Sequence, residues 1–585
     1  MKLYKGMSVF VALPLHPTKT ECFAGEELKK YLQKIFCKVT FDENAKMVFT
    51  VGKNSQIPGP EGLLYQIEGD TAVLAGSDDV GTLYAVYEFL EREMGCCFGA
   101  FPLSQAPAGE VVPTYKEKKL PDTRRYKGAA DLPYRTAIVQ FGEEAGEADR
   151  ELTVPFIDYL AKNRYNRILT WLSVYKKMIA LGLMEELDKR GIRLTVGHHQ
   201  TLTTFLPFEG NDEFSTPYGK IHPEFFRLKE DGTRLTALER THYGQWYLCS
   251  RNEACIEEMA KNINTWLEKN PVVDTIALWP NDGISPQCCC QKCAKHTKME
   301  NYLYFMNGVT ARLKNANKVD VIAYRDLWDC PQGVKLNDNI IVDIATWTPK
   351  GLRHCGNPDG SALLKSHICD TLHDFHNAGC RTVLYEYYMG NYGNRQAVMP
   401  AADEMQSIFR YFKQEGFEGS GTQMECFNLW NNILNFYCFA RTAYDTDLSV
   451  EQNISAMCRL FGEGAKTVSE ILRLYEQTLD GQVPISETGK FFAEHIDETK
   501  VYALFEKAMA QGSTPLFRNN IRLMRMAFRY TMLLRADSED AKQELGVMAS
   551  HFDSFRVNDP GYGISIVTDT RENKLPDDKW YCFEV

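Results

Sequence analysis

Positive charge is what this sequence has too little of. Its 66 Lys and Arg are outnumbered by 77 Asp and Glu, for a net charge of −11. No basic block offsets that balance, which argues against a nucleic-acid partner, because such affinity comes largely from clustered Lys and Arg. Long apolar runs are missing too, and none approaches the 18 or so residues of a membrane span. The opening "MKLYKGMSVFVALPLHPTKT" contains Pro14 and lacks a small-residue cleavage site, so it reads as a first β-strand rather than a secretory leader. No Gly-rich phosphate fingerprint follows any strand pattern, which argues against a doubly wound dinucleotide fold. The expectation is a cytoplasmic chain with no nucleic-acid and no membrane partner.

Cysteine, by contrast, is abundant. Eighteen cysteines without a leader suggest a reducing compartment, where thiols are buried, metal-bound or catalytic. Cys288, Cys290 and Cys293 form C-x-C-x-x-C, with Cys289 inserted. Three such thiolates could share one tetrahedral Zn²⁺ with Cys249 of "YLCSRNEAC" as the fourth ligand, and reduced structural thiols are the alternative. A closed four-sulfur site would be structural rather than a catalytic cofactor.

At 585 residues the chain is too long for one hydrophobic core. Residues 1–118 alternate strand and helix patterns, as in "MSVFVAL", the amphipathic "CFAGEELKKYLQKIF" and a hairpin turning at Gly69-Asp70. They read as a small α+β domain, with "PAGEVVPTYKEKKLPDT" as the linker. Residues 125–446 repeat strand and helix eight times, from "RTAIVQF" to "FEGSGTQME", which makes a (β/α)₈ TIM barrel the economical fold. Residues 447–585 are patterned as helices and form a C-terminal helical domain, which offers a surface for a homodimer.

In such a barrel, catalytic groups sit just after the strands' C-terminal ends. That rule selects His198 and His199 after strand three, Asn281 and Asp282 after strand four, and Arg325 after strand five. It also selects Trp347 after strand six, Glu386 with Tyr385, Tyr387 and Tyr388 at strand seven, and Glu425 after strand eight. Carboxylates flanked by aromatics suit a sugar, and paired carboxylates do the work of glycoside cleavage. Asp282, Glu386 and, in reserve, Glu425 are the catalytic candidates. Asn281, His198, His199, Arg325, Trp347, Tyr385 and Tyr388 are the substrate-binding ones.

These residues carry a resemblance. "GHHQTLTTFLP", "HPEFFRLKEDGTR", "LCSRNEA", "WPNDGISPQCCCQKC", "VLYEYY" and "GSGTQME" resemble, in that order, a bacterial family long described as a domain of unknown function. Some of its members are classed as endo-β-N-acetylglucosaminidases. "DVGTLYAVYEFLEREMG" is similar to the N-terminal domain of α-glucuronidases and β-hexosaminidases. The second His in "GHHQ" and the extra Cys289 depart from the family pattern. The resemblance implies a glycoside hydrolase acting on an oligosaccharide or glycoconjugate, most simply β-N-acetylglucosaminidase-like and retaining through substrate assistance. An inverting α-glucuronidase-like enzyme is the alternative, and a non-catalytic carbohydrate-binding protein is the alternative from another class.

Overall fold

Eight short runs rich in Val, Ile, Leu and Thr are buried over nearly their whole length, as strands with one face on a lumen and the other on helices must be. In the computed structural model they form a closed parallel barrel: β1 (Tyr134–Ile138), β2 (Arg167–Thr170), β3 (Arg193–His198), β4 (Thr275–Leu278), β5 (Lys318–Ala323), β6 (Ile340–Ala345), β7 (Arg381–Met389) and β8 (Gly419–Met424). Each pairs with its successor, and β8 closes on β1. The structure describes residues 1–535, except 102–108, 140–149, 200, 236–246, 281, 283–286, 315–316, 349–350, 390–396, 425–428, 480 and 482. Amphipathic helices pack outside, including Arg150–Lys162, Glu253–Lys269, Lys298–Thr310, His367–Asn377, Ala402–Glu415 and Ile433–Tyr444. The chain crosses from β5 to β6 without a helix, so the barrel is one helix short of the regular repeat. It is an α/β TIM barrel of the expected order, with α+β structure before it and helices after it.

Register decides which side chains see the lumen. Cα partners across the barrel place Ala277 beside Asp320, Asp343 beside Val383, and Ala345 beside Tyr385. Alternation along each strand then turns Asp320, Asp343, Tyr385 and Tyr387 inward. Gly197 in β3 has φ of 144° and lies so close to β4 that a Cβ would meet the Ala277 carbonyl oxygen at 2.1 Å. No other residue fits there.

Before the barrel stands a six-stranded mixed sheet covered by the helices Lys19–Phe36 and Asp79–Arg92. A capping box starts the first helix: Thr18 Oγ1 accepts the Glu21 N–H at 3.2 Å, and Glu21 accepts the Thr18 N–H at 2.9 Å. The expected linker is not one. Glu117–Lys119 pairs with Lys2–Tyr4, and Thr123–Lys127 is the edge strand of the sheet beside Leu63–Glu68. These strands are charged and half-exposed, so they carry no apolar alternation for the sequence to show. The buried Arg164 binds Glu88 at 3.0 Å and the buried Arg441 pairs with Glu91, which joins this unit to the barrel.

After the barrel, helices at Val450–Met457, Ala465–Thr478, Thr488–His495, Glu498–Gln511 and Pro515–Arg535 pack on its flank. Polar contacts fasten them, among these the following. Glu476 accepts the Ala402 N–H at 3.1 Å, and Val483–Pro484 pairs with His354–Cys355 of the loop after β6. Among the described residues no helix is long and apolar enough to cross a membrane.

Candidate functional site

The C-terminal mouth of the barrel is lined by rings. Trp171 follows β2, His198 ends β3 with His199 next, Trp279 follows β4, Tyr324 follows β5, and Tyr385 and Tyr387 lie in β7. Their centroids form a continuous wall: His198 lies 4.1 Å from Trp171 and 4.5 Å from Trp279, and Trp279 lies 5.8 Å from Tyr385. Tyr385 is 5.1 Å from Tyr387, and His199 is 5.7 Å from Tyr324. His198 holds a φ of 102°, which costs a non-glycine residue and is sustained here by the packing of its ring. Burial drives its pKa well down, with His199 adding to the effect, so the ring is neutral.

Asp282 stands at the edge of this wall. Its Oδ1 accepts the Tyr324 hydroxyl at 2.9 Å and lies 3.4 Å from Arg325 Nε. The Arg325 guanidinium is 5.0 Å from the Tyr324 ring and 5.5 Å from that of Trp347, a cation held between two faces. His199 Nδ1 lies 2.5 Å from the Pro280 carbonyl, which can only accept, so Nδ1 carries the proton and Nε2 is an acceptor. Burial lowers the His199 pKa and Arg325 adds to that, against Asp282 and the Pro280 carbonyl. The mouth therefore brings together Asp282, His198, His199, Arg325, Trp347 and Tyr385 from the sequence-based set.

Glu386 is not among them. It alternates with Tyr385 and Tyr387 and points out of the lumen, where it is 0% exposed. Its Oε1 receives Arg353 Nε at 2.7 Å and Nη2 at 2.6 Å, and Arg353 Nη1 reaches Glu404 at 2.5 Å. Arg353 also donates to the Tyr388 hydroxyl at 2.8 Å, so Tyr388 shares the outward face and does not line a sugar subsite. Burial raises the Glu386 pKa while Arg353 opposes that rise, and the two carboxylates push the Arg353 pKa well up. Asp282, at 31% side-chain exposure, is open to a ligand where Glu386 is closed to one. Asn281 and Glu425 lie outside the described residues.

Below the mouth lie two acids that strand-end reasoning passed over. Asp320 accepts the Trp279 indole N–H at 2.8 Å, and Asp343 is buried with Oδ1 lacking a hydrogen-bond partner. Each is a lone acid in an apolar run, "VDVIA" and "IIVDIA", which is the signal that could have found them. Burial pushes the Asp320 pKa up to about 7. Burial, with Asp320 beside it, raises Asp343 well above the usual carboxylate range. Between the unfolded value of about 3.9 and about 7, the folded chain keeps a proton on Asp320 that the unfolded chain has lost. Stability from this group is thus complete at low pH and is lost as pH rises through that window. Asp320→Asn keeps an acceptor for Trp279, so its stability relative to wild type should climb with pH from 4 to 7. Denaturation midpoints in a buffer series check this, and a pH-independent gap defeats it.

A third cluster lies beyond Asp282. Cys249, Cys288, Cys290 and Cys293 converge so that all four Sγ atoms lie within 4.8 Å of one another, and every described cysteine is a free thiol. Cys249 comes from the long insertion between β3 and β4, the other three from the loop after β4. Cys289 points elsewhere, its thiol toward the Gln287 carbonyl.

The fold has relatives among solved structures. A GH138 enzyme targeting pectin rhamnogalacturonan II aligns with a TM-score of 0.58 at 13% identity, over 93% of this chain and 71% of that one. BtGH115A, a 4-O-methyl-α-glucuronidase with specificity for decorated arabinogalactans, aligns at 0.53 and 11% identity, over 94% and 77%. CpGH84B aligns at 0.52 and 11% identity, over 95% and 93%. At such identity the likeness is one of fold. No curated protein matches the chain by sequence. Residues 105–473, more than half of the chain, match the domain of unknown function DUF4838, and the chain belongs to that family.

Proposed function

We propose that the chain is a glycoside hydrolase that takes a sugar at the aromatic mouth of the barrel and uses Asp282 on the ring side of the reaction. The observation that carries this reading is a partly open carboxylate, hydrogen-bonded by Tyr324 and ion-paired with Arg325, against a wall of aromatic rings. A pyranose offers apolar CH faces to such rings and hydroxyls to polar groups. His199 Nε2 and Arg325 supply an acceptor and donors beside them.

Within that class we read the activity as β-N-acetylglucosaminidase-like, retaining through substrate assistance. With Glu386 withdrawn, the mouth presents Asp282 without a carboxylate partner from β7. A 2-acetamido sugar brings its own nucleophile, so one ring-side carboxylate suffices. The acetamido carbonyl oxygen bonds to C1 as the C1–O glycosidic bond breaks and the leaving oxygen takes up a proton from water at the mouth. Asp282 accepts the acetamido N–H and stabilises the cationic oxazolinium ring. Water then attacks C1 and gives up a proton to solvent, the bond from C1 to the acetamido oxygen opens, and the configuration is retained.

A second reading is favoured by Arg325. A guanidinium at the mouth matches the carboxylate of a uronic acid, which fits an inverting α-glucuronidase-like enzyme. A panel of chromogenic aryl glycosides separates the readings. Release from 2-acetamido-2-deoxy glycosides, with none from the 2-hydroxy sugars, supports the first. Release from aryl uronides alone supports the second, and sugar binding without any turnover leaves a carbohydrate-binding protein.

Trp347 tests the subsite itself. It stands at the base of a two-stranded ribbon, paired with Leu352, under the Arg325 guanidinium. Trp347→Ala should raise KM more than it lowers kcat, as removal of a uniform binding contact does. An unchanged KM would place the ring in the core.

A further inference from the structure

We propose that Cys249, Cys288, Cys290 and Cys293 form a structural tetrathiolate zinc site that clasps the β3–β4 insertion to the loop carrying Asp282. Four sulfurs around one Zn²⁺ at about 2.3 Å stand about 3.8 Å apart at the corners of a tetrahedron. Cys249 Sγ lies 3.7 Å from Cys290 Sγ and 4.0 Å from Cys293 Sγ, and none of the four is more than 4.8 Å from another. These separations are too long for disulfides, whose sulfurs lie about 2.0 Å apart. They fit a shared central ion.

The surroundings are those of thiolate ligands. The Leu228 N–H points at Cys288 Sγ at 3.2 Å, and the Cys293 N–H at Cys290 Sγ at 3.5 Å. Backbone donors to sulfur favour the deprotonated form that a metal requires and orient each ligand. The site is also closed. Cys249, Cys288 and Cys293 are buried, Cys290 is half-buried, and together they form a small cluster separate from the main core. Four thiolates leave no position for water or substrate, so the metal holds structure and does no chemistry.

What it holds is specific. The Cys289 N–H donates to the Leu228 carbonyl at 2.9 Å, so insertion and loop already touch at backbone level, and Phe226 bridges Leu248 within the insertion. Asn301 then donates to the Cys293 carbonyl at 2.9 Å and accepts from Arg251 at 2.7 Å, bracing both sides of the cluster from the helix Lys298–Thr310. Cys288 is six residues past Asp282 in the chain.

The test uses the full chain purified without chelator or added metal. Elemental analysis should find about one zinc per chain. Cys289→Ser, which removes a thiol outside the cluster, should keep it, while Cys249→Ser should lose most of it. Should Cys249→Ser fail to fold, wild-type protein reconstituted with Co²⁺ decides, since tetrahedral tetrathiolate cobalt has intense sulfur charge-transfer and visible bands. Four thiols that react at once with a thiol reagent in metal-free, folded protein would overturn the proposal. So would iron in place of zinc, a disulfide among the four, or a cobalt spectrum of octahedral type.

Discussion

Asp282→Asn should fold as wild type does and lose roughly 10²–10⁴-fold in kcat on a cleavable glycoside. Asparagine matches the carboxylate in size and can still accept the Tyr324 hydroxyl, whose bond to Oδ1 is 2.9 Å. What it loses is charge. On the substrate-assisted reading proposed above, a neutral amide still accepts the acetamido N–H but stabilises the developing oxazolinium poorly, and it leaves Arg325 without the partner 3.4 Å from its Nε. Because the lost stabilisation acts on the ring side, kcat should fall alike for good and poor aryl leaving groups, with KM moving much less. Measured kcat over a series of leaving groups, in protein of wild-type circular dichroism, checks this. A loss confined to poor leaving groups would reassign Asp282 to protonating the departing oxygen. Near wild-type kcat would move the site elsewhere.

Most of the architecture was legible because the barrel strands advertise themselves. Runs such as "IIVDIATW" and "RTVLYEYY" are apolar on both faces, and only strands covered on both sides can be. The edge strands Glu117–Lys119 and Thr123–Lys127 were not legible. An exposed edge is charged for its own protection and so resembles a linker. In the site, nearness to a strand end proved to be half of the needed rule. "LYEYY" puts four chemistry-bearing residues in a row, and period-two alternation divides them into Tyr385 and Tyr387 facing in and Glu386 and Tyr388 facing out. That division was available from the sequence and outranks the appeal of a carboxylate among aromatics. The partner that neutralises Glu386 was not available. Arg353 lies 33 residues upstream, in a loop whose path only the fold determines. Cys249 shows the opposite case, since thiol chemistry marked it as a partner for the C-x-C-x-x-C run across a comparable gap.

Glu386 therefore enters the second large prediction as a structural group. Arg353→Ala should destabilise the chain by about 3–5 kcal/mol, the usual result of removing one member of a buried ion pair. The guanidinium is the single cation between Glu386 and Glu404 in the contacts described, at 2.6 Å and 2.5 Å, and both acids are almost wholly buried. Without it, burial and the neighbouring Glu404 raise the Glu386 pKa unopposed above its unfolded value of about 4.3. The folded variant then holds a proton on Glu386 that its unfolded chain has released, so the defect should be small near pH 5 and grow toward pH 8. Denaturant midpoints at the two pH values read the difference, and an equal loss at both would mean that the charges were never uncompensated. The loop after β6 links this to the mouth: the Thr346 hydroxyl, one residue before Trp347, donates to Oε2 of the Glu386 that Arg353 holds, at 3.3 Å, and the same loop pairs with Val483–Pro484. Loss of Arg353 should accordingly raise KM through Trp347 even in protein that remains folded. Glu386→Gln gives the matching control. The amide can still accept from Arg353, and Glu404 still pairs with the guanidinium, so a folded enzyme with kcat within a few-fold of wild type is expected. A fall as large as that of Asp282→Asn would return Glu386 to the reaction. Its withdrawal behind β7 would then have to open during turnover.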